Sequence, residues 1–163
     1  MTPIDWAKRP IFEKYADFSG RAPRPEYWWF VLANIVLYFV ATIIDSLLGL
    51  NTMIAGIYGP LTLIVAFGLL IPGLAAAVRR LHDTNRSGWW MLLVIVPYFI
   101  FGFLMARSAS SIDPATGMPT GEGMGSMALV GLLALAGAIA MIVFLVLPGT
   151  DGDNKYGPKP ASD

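Results

Sequence analysis

The 163-residue chain contains no cysteine and only one histidine. The absence of cysteine excludes disulfide bonds, thiol catalysis and thiolate metal sites, and a single imidazole is too few for a histidine metal site. Charged residues are also scarce, at 13% against about 25% in soluble domains. The formal net charge is zero, so the chain has no overall basic field that would attract a nucleic acid. We therefore expect no cofactor, no metal ion and no nucleic-acid partner.

Hydrophobic residues dominate the chain, at 56%, and the mean hydropathy is +0.63. They are concentrated in four runs, at about residues 27–50, 59–78, 89–105 and 127–147. A helix needs about 20 apolar residues to cross the hydrocarbon core of a membrane. The predicted fold is therefore all-α: a multi-pass membrane helical bundle with four transmembrane helices. Residues 1–163 would form one membrane domain, in which 1–26 and 148–163 are polar segments.

Lysine and arginine are distributed unevenly between the two sides of this arrangement. Residues 1–26 contain five of them, the hairpin between the second and third runs three, and the tail two, whereas the two opposite loops contain only Arg107. Basic loops are retained in the cytoplasm, so both termini and the hairpin are predicted to be cytoplasmic. The pairs Trp28-Trp29 and Trp89-Trp90 then fall at this interface, where indole rings act as anchors.

The polar N-terminal segment, the end of the first apolar run and the two loops opposite the hairpin give further predictions. The pattern of residues 10–18 predicts a short amphipathic helix, with Pro10 at its first position and Gly20 closing its end, either in the interface plane or packed on the end of a bundle. Asp45, near the end of the first run, is interpreted as a membrane-boundary residue rather than a buried functional acid. Residues 51–58 are predicted to form a turn, and 107–126 a flexible external loop.

Proline and small residues indicate how the helices pack. Pro72 interrupts the second run, and neighbouring groups are expected to satisfy the carbonyl that it leaves free. The pair Gly73/Ala77, and in the fourth run the pairs Ala134/Ala138 and Ala136/Ala140, are spaced for close helix contact.

The polar hairpin at residues 78–90, which lies between two apolar runs and ends on a tryptophan pair, is the strongest candidate for a functional site. If the second helix continues to Asp83, this carboxylate lies on the same face as Arg79 and Arg80, and it would hold one arginine while the others stay free. Arginine binds phosphate or carboxylate with two parallel hydrogen bonds. The alternative is that the arginines only fix the orientation in the membrane. His82 beside Asp83 is a candidate general base. However, adjacent helical residues point in different directions, so the two side chains need not be in contact.

Three segments together resemble the bacterial inner-membrane family known as domain of unknown function 805. They are GRAPRPEYWWF at 20–30, RRLHDTNRSGWW at 79–90 and DNKYGP at 153–158. The common form of the family has glycine at the position of Asn85. The resemblance implies a small multi-pass inner-membrane protein, and it carries over no catalytic residues because the family has no agreed activity. Because all three segments fall on the predicted cytoplasmic side, they are expected to meet in one cluster.

The predicted function is a non-enzymatic role in the bacterial inner membrane, in which this cluster binds anionic lipid headgroups or a partner. The alternatives are a transporter or channel for a small solute, which only Asn34 and Asp45 would line, and an enzyme acting on a phosphorylated lipid. The expected partners are anionic membrane lipids, a protein partner or a second copy of the chain. The candidate binding residues are Arg21, Arg24, Arg79, Arg80, His82, Asp83 and Arg86.

Overall fold

The computed structural model describes residues 1–51, 58–108 and 123–160. Its α-helices are α1 (Pro3–Phe12), α2 (Arg24–Leu47), α3 (Pro60–Asp83), α4 (Leu92–Ser108) and α5 (Gly123–Val146), and a 3₁₀ turn, Gly88–Met91, precedes α4. The described residues contain no β-strand, and an isolated bridge joins Asn154 and Gly157. Four helices in these ranges are long and apolar enough to cross a membrane: α2, α3, the 3₁₀ turn with α4, and α5. The all-α prediction with four spans is confirmed. The predicted loops at 51–58 and 107–126 lie mostly outside the described residues.

The N-terminal helix begins and ends earlier than predicted, so the prediction of a helix at residues 10–18 was wrong. The backbone N–H of Asp5 is capped by the Thr2 hydroxyl, and the Asp5 carboxylate accepts the Thr2 N–H at 2.9 Å. This capping box, with Pro3 at the first helical position, fixes the start of α1. Pro10 lies in the last turn of α1 instead of opening a helix.

Residues 1–88 and 148–163 form one compact unit, in which α1 and α3 pack on α2. Gly73 of α3 faces the ring of Phe30 of α2, and Ala77 is buried on the same helix. Pro72 has no N–H for the Gly68 carbonyl, and the Tyr15 hydroxyl donates to that carbonyl at 2.7 Å. The expectation that a neighbour satisfies the freed carbonyl is thus confirmed.

Asp45 lies in the last turn of α2 and is fully buried. Its carboxylate accepts hydrogen bonds from the backbone N–H groups of Leu61 and Thr62, at 3.2 and 2.7 Å, and from the Thr62 hydroxyl. These N–H groups belong to the first turn of α3 and have no partner within their own helix. Asp45 therefore caps α3 from α2. A side chain at Gly59 would overlap the Asp45 carboxyl, since its Cβ would lie 2.3 Å from Asp45 Cγ.

Residues 89–147 form the second unit, in which α4 packs against α5. The face of α5 that packs on α4 contains Ala134 and Gly137, both buried, whereas Ala138 is half-buried and Ala136 is exposed. A Cβ at Gly137 would lie 2.2 Å from the Leu93 carbonyl oxygen. The small residue that permits close contact is therefore Gly137, and the predicted pair Ala136/Ala140 is not centred on this face.

Candidate functional site

Five ionisable side chains come together where α2 begins and α3 ends. We call them the arginine cluster: Arg21, Glu26, Arg79, Arg80 and Asp83. Each has a side-chain exposure of 1% or less. Ions buried to this degree are retained only when they are paired and hydrogen-bonded. Segments far apart in the sequence must therefore meet closely at this end of the unit.

Asp83 is the first of two carboxylates that bridge cations. Its Oδ1 accepts from Arg21 Nε at 2.9 Å, and its Oδ2 accepts from Arg80 Nη1. The backbone carbonyl of Asp83 accepts from the N–H of Thr150 at 2.9 Å. Gly149 approaches so closely that a Cβ there would lie 2.3 Å from Asp83 Oδ2. The C-terminal tail is thus tied to the end of α3 through this residue.

Glu26 is the second bridging carboxylate, and it was not among the site residues predicted from the sequence. Its Oε1 accepts from Arg79 Nη2 at 2.9 Å and its Oε2 from Arg9 Nη1 at 3.1 Å. Glu26 belongs to the segment at 20–30 that carries the family resemblance, where it is the only acidic residue. That isolated acid beside an apolar run was the signal that could have identified it.

The buried arginines also bind backbone carbonyl groups of neighbouring segments. Arg79 Nη1 donates to the carbonyls of Asp17 and Lys14, at 2.8 and 3.3 Å. Arg21 donates from Nη1 to Gly152 and from Nη2 to Thr150, both at 2.7 Å. The prediction that Asp83 holds an arginine of its own helix is confirmed by Arg80. The prediction that the other arginines stay free was wrong, because the guanidinium groups of Arg21 and Arg79 are also engaged inside the protein.

Asp17, at the edge of the cluster, has a carboxylate that stays ionised. Hydrogen bonds from the hydroxyl and the backbone N–H of Ser19, together with a hydrogen bond from Lys14, lower the pKa of Asp17 to about 2. The turn at residues 14–19 therefore places an ion pair, Lys14 with Asp17 at 3.2 Å, beside the arginines at neutral pH.

His82 faces away from Asp83 and packs against the tail. Its ring stacks on Tyr156, with centroids 3.7 Å apart and planes 4° apart. Its Nδ1 lies 3.2 Å from the Gly20 carbonyl oxygen, and because a carbonyl only accepts, Nδ1 carries the proton in this contact. Asn154 donates from its side chain to the His82 carbonyl at 2.9 Å. The His82 ring therefore connects Gly20 to the tail, and it does not pair with the carboxylate of Asp83.

The remaining candidates lie outside the buried cluster. Arg24 is exposed at the first position of α2, and Arg86 is half-buried in the turn after α3, where it donates to the Thr84 carbonyl at 3.3 Å. Asn85 in the same turn has φ of +59°. Glycine and asparagine are the residues that adopt this left-handed conformation most readily. The positive φ therefore favours asparagine at this position, and it would favour glycine equally.

All four candidate anchor tryptophans are exposed. Trp28 and Trp29, in the second turn of α2, have 37% and 39% of their surface accessible, and Trp89 and Trp90, in the 3₁₀ turn before α4, have 77% and 43%. Side chains of this size remain exposed where they contact lipid or headgroups. Their role as interfacial anchors stays a prediction.

A cavity of about 670 Å³ lies beside the arginine cluster, between α1 and the tail. We call it the tail cavity; its charged lining residues are Arg9, Arg21 and Lys159, and the rings of Trp6 and Tyr156 also line it. No aspartate or glutamate from the described part of the chain is among its lining residues. The fully buried groups beside it include three guanidinium groups but only two carboxylates. This end of the unit therefore has a cationic cavity of a size typical for small-molecule sites.

Known proteins similar to this chain are bacterial inner-membrane proteins. The inner membrane protein YhaH of Escherichia coli (strain K12) is 33% identical over 157 residues, which are 96% of this chain and 97% of the relative. The inner membrane protein YhaI of the same strain is 31% identical over 150 residues, which are 92% of this chain and 91% of the relative. No solved structure matches the chain. The model of the family described as protein of unknown function (DUF805) matches residues 15–158. The chain is therefore a multi-pass bacterial inner-membrane protein and belongs to the DUF805 family.

Proposed function

We propose that this inner-membrane protein binds the phosphate-bearing headgroup of an anionic lipid in the tail cavity, at the cytoplasmic surface, and catalyses no reaction. The observation that carries the proposal is the lining of this cavity, which contains Arg9, Arg21 and Lys159 and, within the described ranges, no acidic residue. A phosphate in such a cavity would accept charge-assisted hydrogen bonds, which are stronger than neutral ones.

The arginine cluster itself is a poor ligand site, because each of its guanidinium groups is already engaged and the one donor without a partner among the described residues, Arg79 Nε, is buried. Arg21 and Arg80 share Asp83, and Arg79 binds Glu26 and two carbonyl groups. We infer that the cluster shapes the cavity wall and supplies positive potential, since its buried groups include one more cation than anion. Asp83 between two guanidinium groups and His82 stacked on Tyr156 are also badly placed to act as bases on a substrate.

Arg9 and Lys159 are the residues with capacity to meet a ligand. Their side chains are 29% and 39% exposed. Arg9 Nη1 binds Glu26 at 3.1 Å, and Arg9 Nε is buried and donates no hydrogen bond within the described residues, with the Glu13 carboxylate 3.5 Å away. Lys159 pairs at 3.1 Å with Asp151, whose side chain is 99% exposed, and exposed pairs of this kind contribute little stability. A headgroup phosphate can therefore replace Asp151 at low cost.

The test measures which lipids stay bound to the purified full-length protein. The protein is exchanged into detergent with equal amounts of phosphatidylglycerol and phosphatidylcholine, and the retained lipid is quantified by native mass spectrometry. Wild-type protein should retain phosphatidylglycerol preferentially. The double variant Arg9→Gln/Lys159→Gln should lose most of this preference, by about tenfold if two charge-assisted contacts are lost.

The matched control is Lys8→Gln/Lys155→Gln, which removes the same charge from α1 and from the tail but at positions that do not line the tail cavity. It should keep the preference for phosphatidylglycerol. Because Arg9 also binds Glu26, Lys159→Gln alone is measured as well, and it should weaken the preference without altering Tm. Equal lipid preferences in the test and control pairs would overturn the proposal. Loss of the bound lipid on addition of millimolar inorganic phosphate would indicate a soluble phosphate ligand instead.

A further inference from the structure

A second cavity, of about 370 Å³, lies between α2 and α3. It is lined by residues near the middle of both helices, including Asn34 of α2 and Leu70 and Gly73 of α3. At 1.5 Å per residue, Asn34 is about 15 Å along α2 from Arg24. The cavity therefore lies at bilayer depth, apart from the tail cavity and its polar surroundings.

Asn34 has an oxygen atom without a partner at this depth. Its Nδ2 donates to the Phe30 carbonyl of its own helix at 3.1 Å. Its Oδ1 is buried and accepts no hydrogen bond from any described residue. The hydrocarbon of the bilayer contains no hydrogen-bond donor, so the amide oxygen of Asn34 is left without a hydrogen bond in this position.

Two tyrosines extend the polar lining of the same cavity. Tyr27 and Tyr38 lie on the same side of α2 as Asn34, and both line the cavity. Their hydroxyl groups make no hydrogen bond within residues 1–51, 58–108 and 123–160. Three polar side chains thus form a stripe along one face of a spanning helix, opposite leucine side chains of α3.

We propose that this cavity binds a hydrophobic molecule that carries a hydroxyl group, with its apolar body against the leucines of α3 and its O–H donating to Asn34 Oδ1. The hydroxyl satisfies the amide oxygen, and the tyrosine hydroxyls act as further donors or acceptors for it. The Asn34 side chain is half-buried while Oδ1 itself is covered. Binding therefore includes a side-chain rotation that opens Oδ1 to the ligand, an adjustment that is common in complexes.

The experiment compares two probes that differ only in the donor. Full-length protein in nanodiscs is titrated with radiolabelled 4-octylphenol and with its methyl ether, 4-octylanisole, which has the same apolar body but no O–H. The wild-type protein should bind the phenol saturably and at least about fivefold more tightly than the ether. Asn34→Leu should remove this difference, so that both probes bind equally.

Thr42→Val is the matched control, because it also replaces a polar side chain of α2 by an apolar one but does not line this cavity. It should keep the wild-type difference between phenol and ether. The proposal is overturned if the wild-type protein binds both probes alike, if the phenol shows no saturable binding, or if Asn34→Leu keeps the discrimination. The lipid retention measured for the tail cavity should be unchanged in Asn34→Leu, so the two proposals stand or fall separately.

Discussion

At the scale of single residues, the buried arginines act as connectors. Arg79 joins the carboxylate of Glu26 to the carbonyl groups of residues 14 and 17, and Arg21 joins Asp83 to the tail. A guanidinium group can do this because its planar fork has five N–H donors that point in different directions. An ammonium group of the same charge has one nitrogen and cannot reach the same acceptors together.

Arg79→Lys is therefore expected to destabilise the protein although it preserves the charge. Loss of two buried hydrogen bonds, at about 1 kcal/mol each, should lower Tm by roughly 4–8 °C. Thermal unfolding of the purified protein in detergent measures this effect. Arg24→Lys is the control, because it makes the same chemical change at an exposed position, and its Tm should stay within about a degree of wild type. An unchanged Tm in Arg79→Lys would contradict a connecting role.

At the scale of helices, proline and glycine decide how the spans contact each other. Pro72 leaves the Gly68 carbonyl without its helical donor, and Tyr15 supplies one. Pro97 likewise has no N–H for the Leu93 carbonyl, four residues earlier, and Gly137 of α5 lies directly against that oxygen. Each proline therefore leaves one carbonyl group without its helical N–H donor, and in both cases another segment packs against that carbonyl.

Gly137→Leu should disrupt the contact between α4 and α5. The new side chain would start 2.2 Å from the Leu93 oxygen, so the helices must separate, at a cost of about 1–3 kcal/mol for overpacking. A lower Tm in detergent, or proteolysis in the second unit at lower protease concentration, measures the effect. Ala136→Leu adds a side chain at the neighbouring exposed position and should leave both properties unchanged. If the two variants behave alike, α4 and α5 do not make this contact.

At the scale of the whole molecule, the distribution of lysine and arginine predicts the orientation. Ten of these residues lie in the two terminal segments and the hairpin, and Arg107 is the only one in the opposite loops. Anionic lipid headgroups attract basic segments at the cytoplasmic leaflet. If the ligand of the tail cavity is such a headgroup, the cavity must lie on the cytoplasmic side of the membrane.

Reporter fusions test the orientation directly. A reporter at Ser162 or within residues 85–87 should be active only in the cytoplasm, and one near Gly121 only on the opposite side, because basic loops are not translocated. Expression of each fusion is measured by immunoblotting as the control. A cytoplasmic signal from the fusion near Gly121 would contradict the four-span arrangement.

Most of the fold was predictable because a membrane span depends on local composition. Hydrocarbon provides no hydrogen-bond partners, so an apolar run of sufficient length must satisfy its own backbone as a helix. The four runs followed from this requirement, whereas the continuation of α3 from residue 78 to Asp83 was predicted only as a condition for the arginine site. The start of α1 was also encoded locally, in the box of Thr2 and Asp5 with Pro3, but the more conspicuous Pro10 led to a wrong boundary.

The sequence by itself therefore determined the class of the protein, its family, its four spans and the set of charged residues at their ends. The local pair of Arg80 and Asp83, three positions apart, also follows from helix spacing, but only the tertiary structure decided the partners that lie far away in the sequence. Arg21 and Asp83 are 62 positions apart, and Glu26 and Arg79 are 53 apart, so no local pattern predicts these pairs. The same holds for Asp45, which caps a helix whose first turn lies 16 to 17 positions later. Buried charges take the partners that packing brings within hydrogen-bond distance, and that proximity is a property of the folded chain.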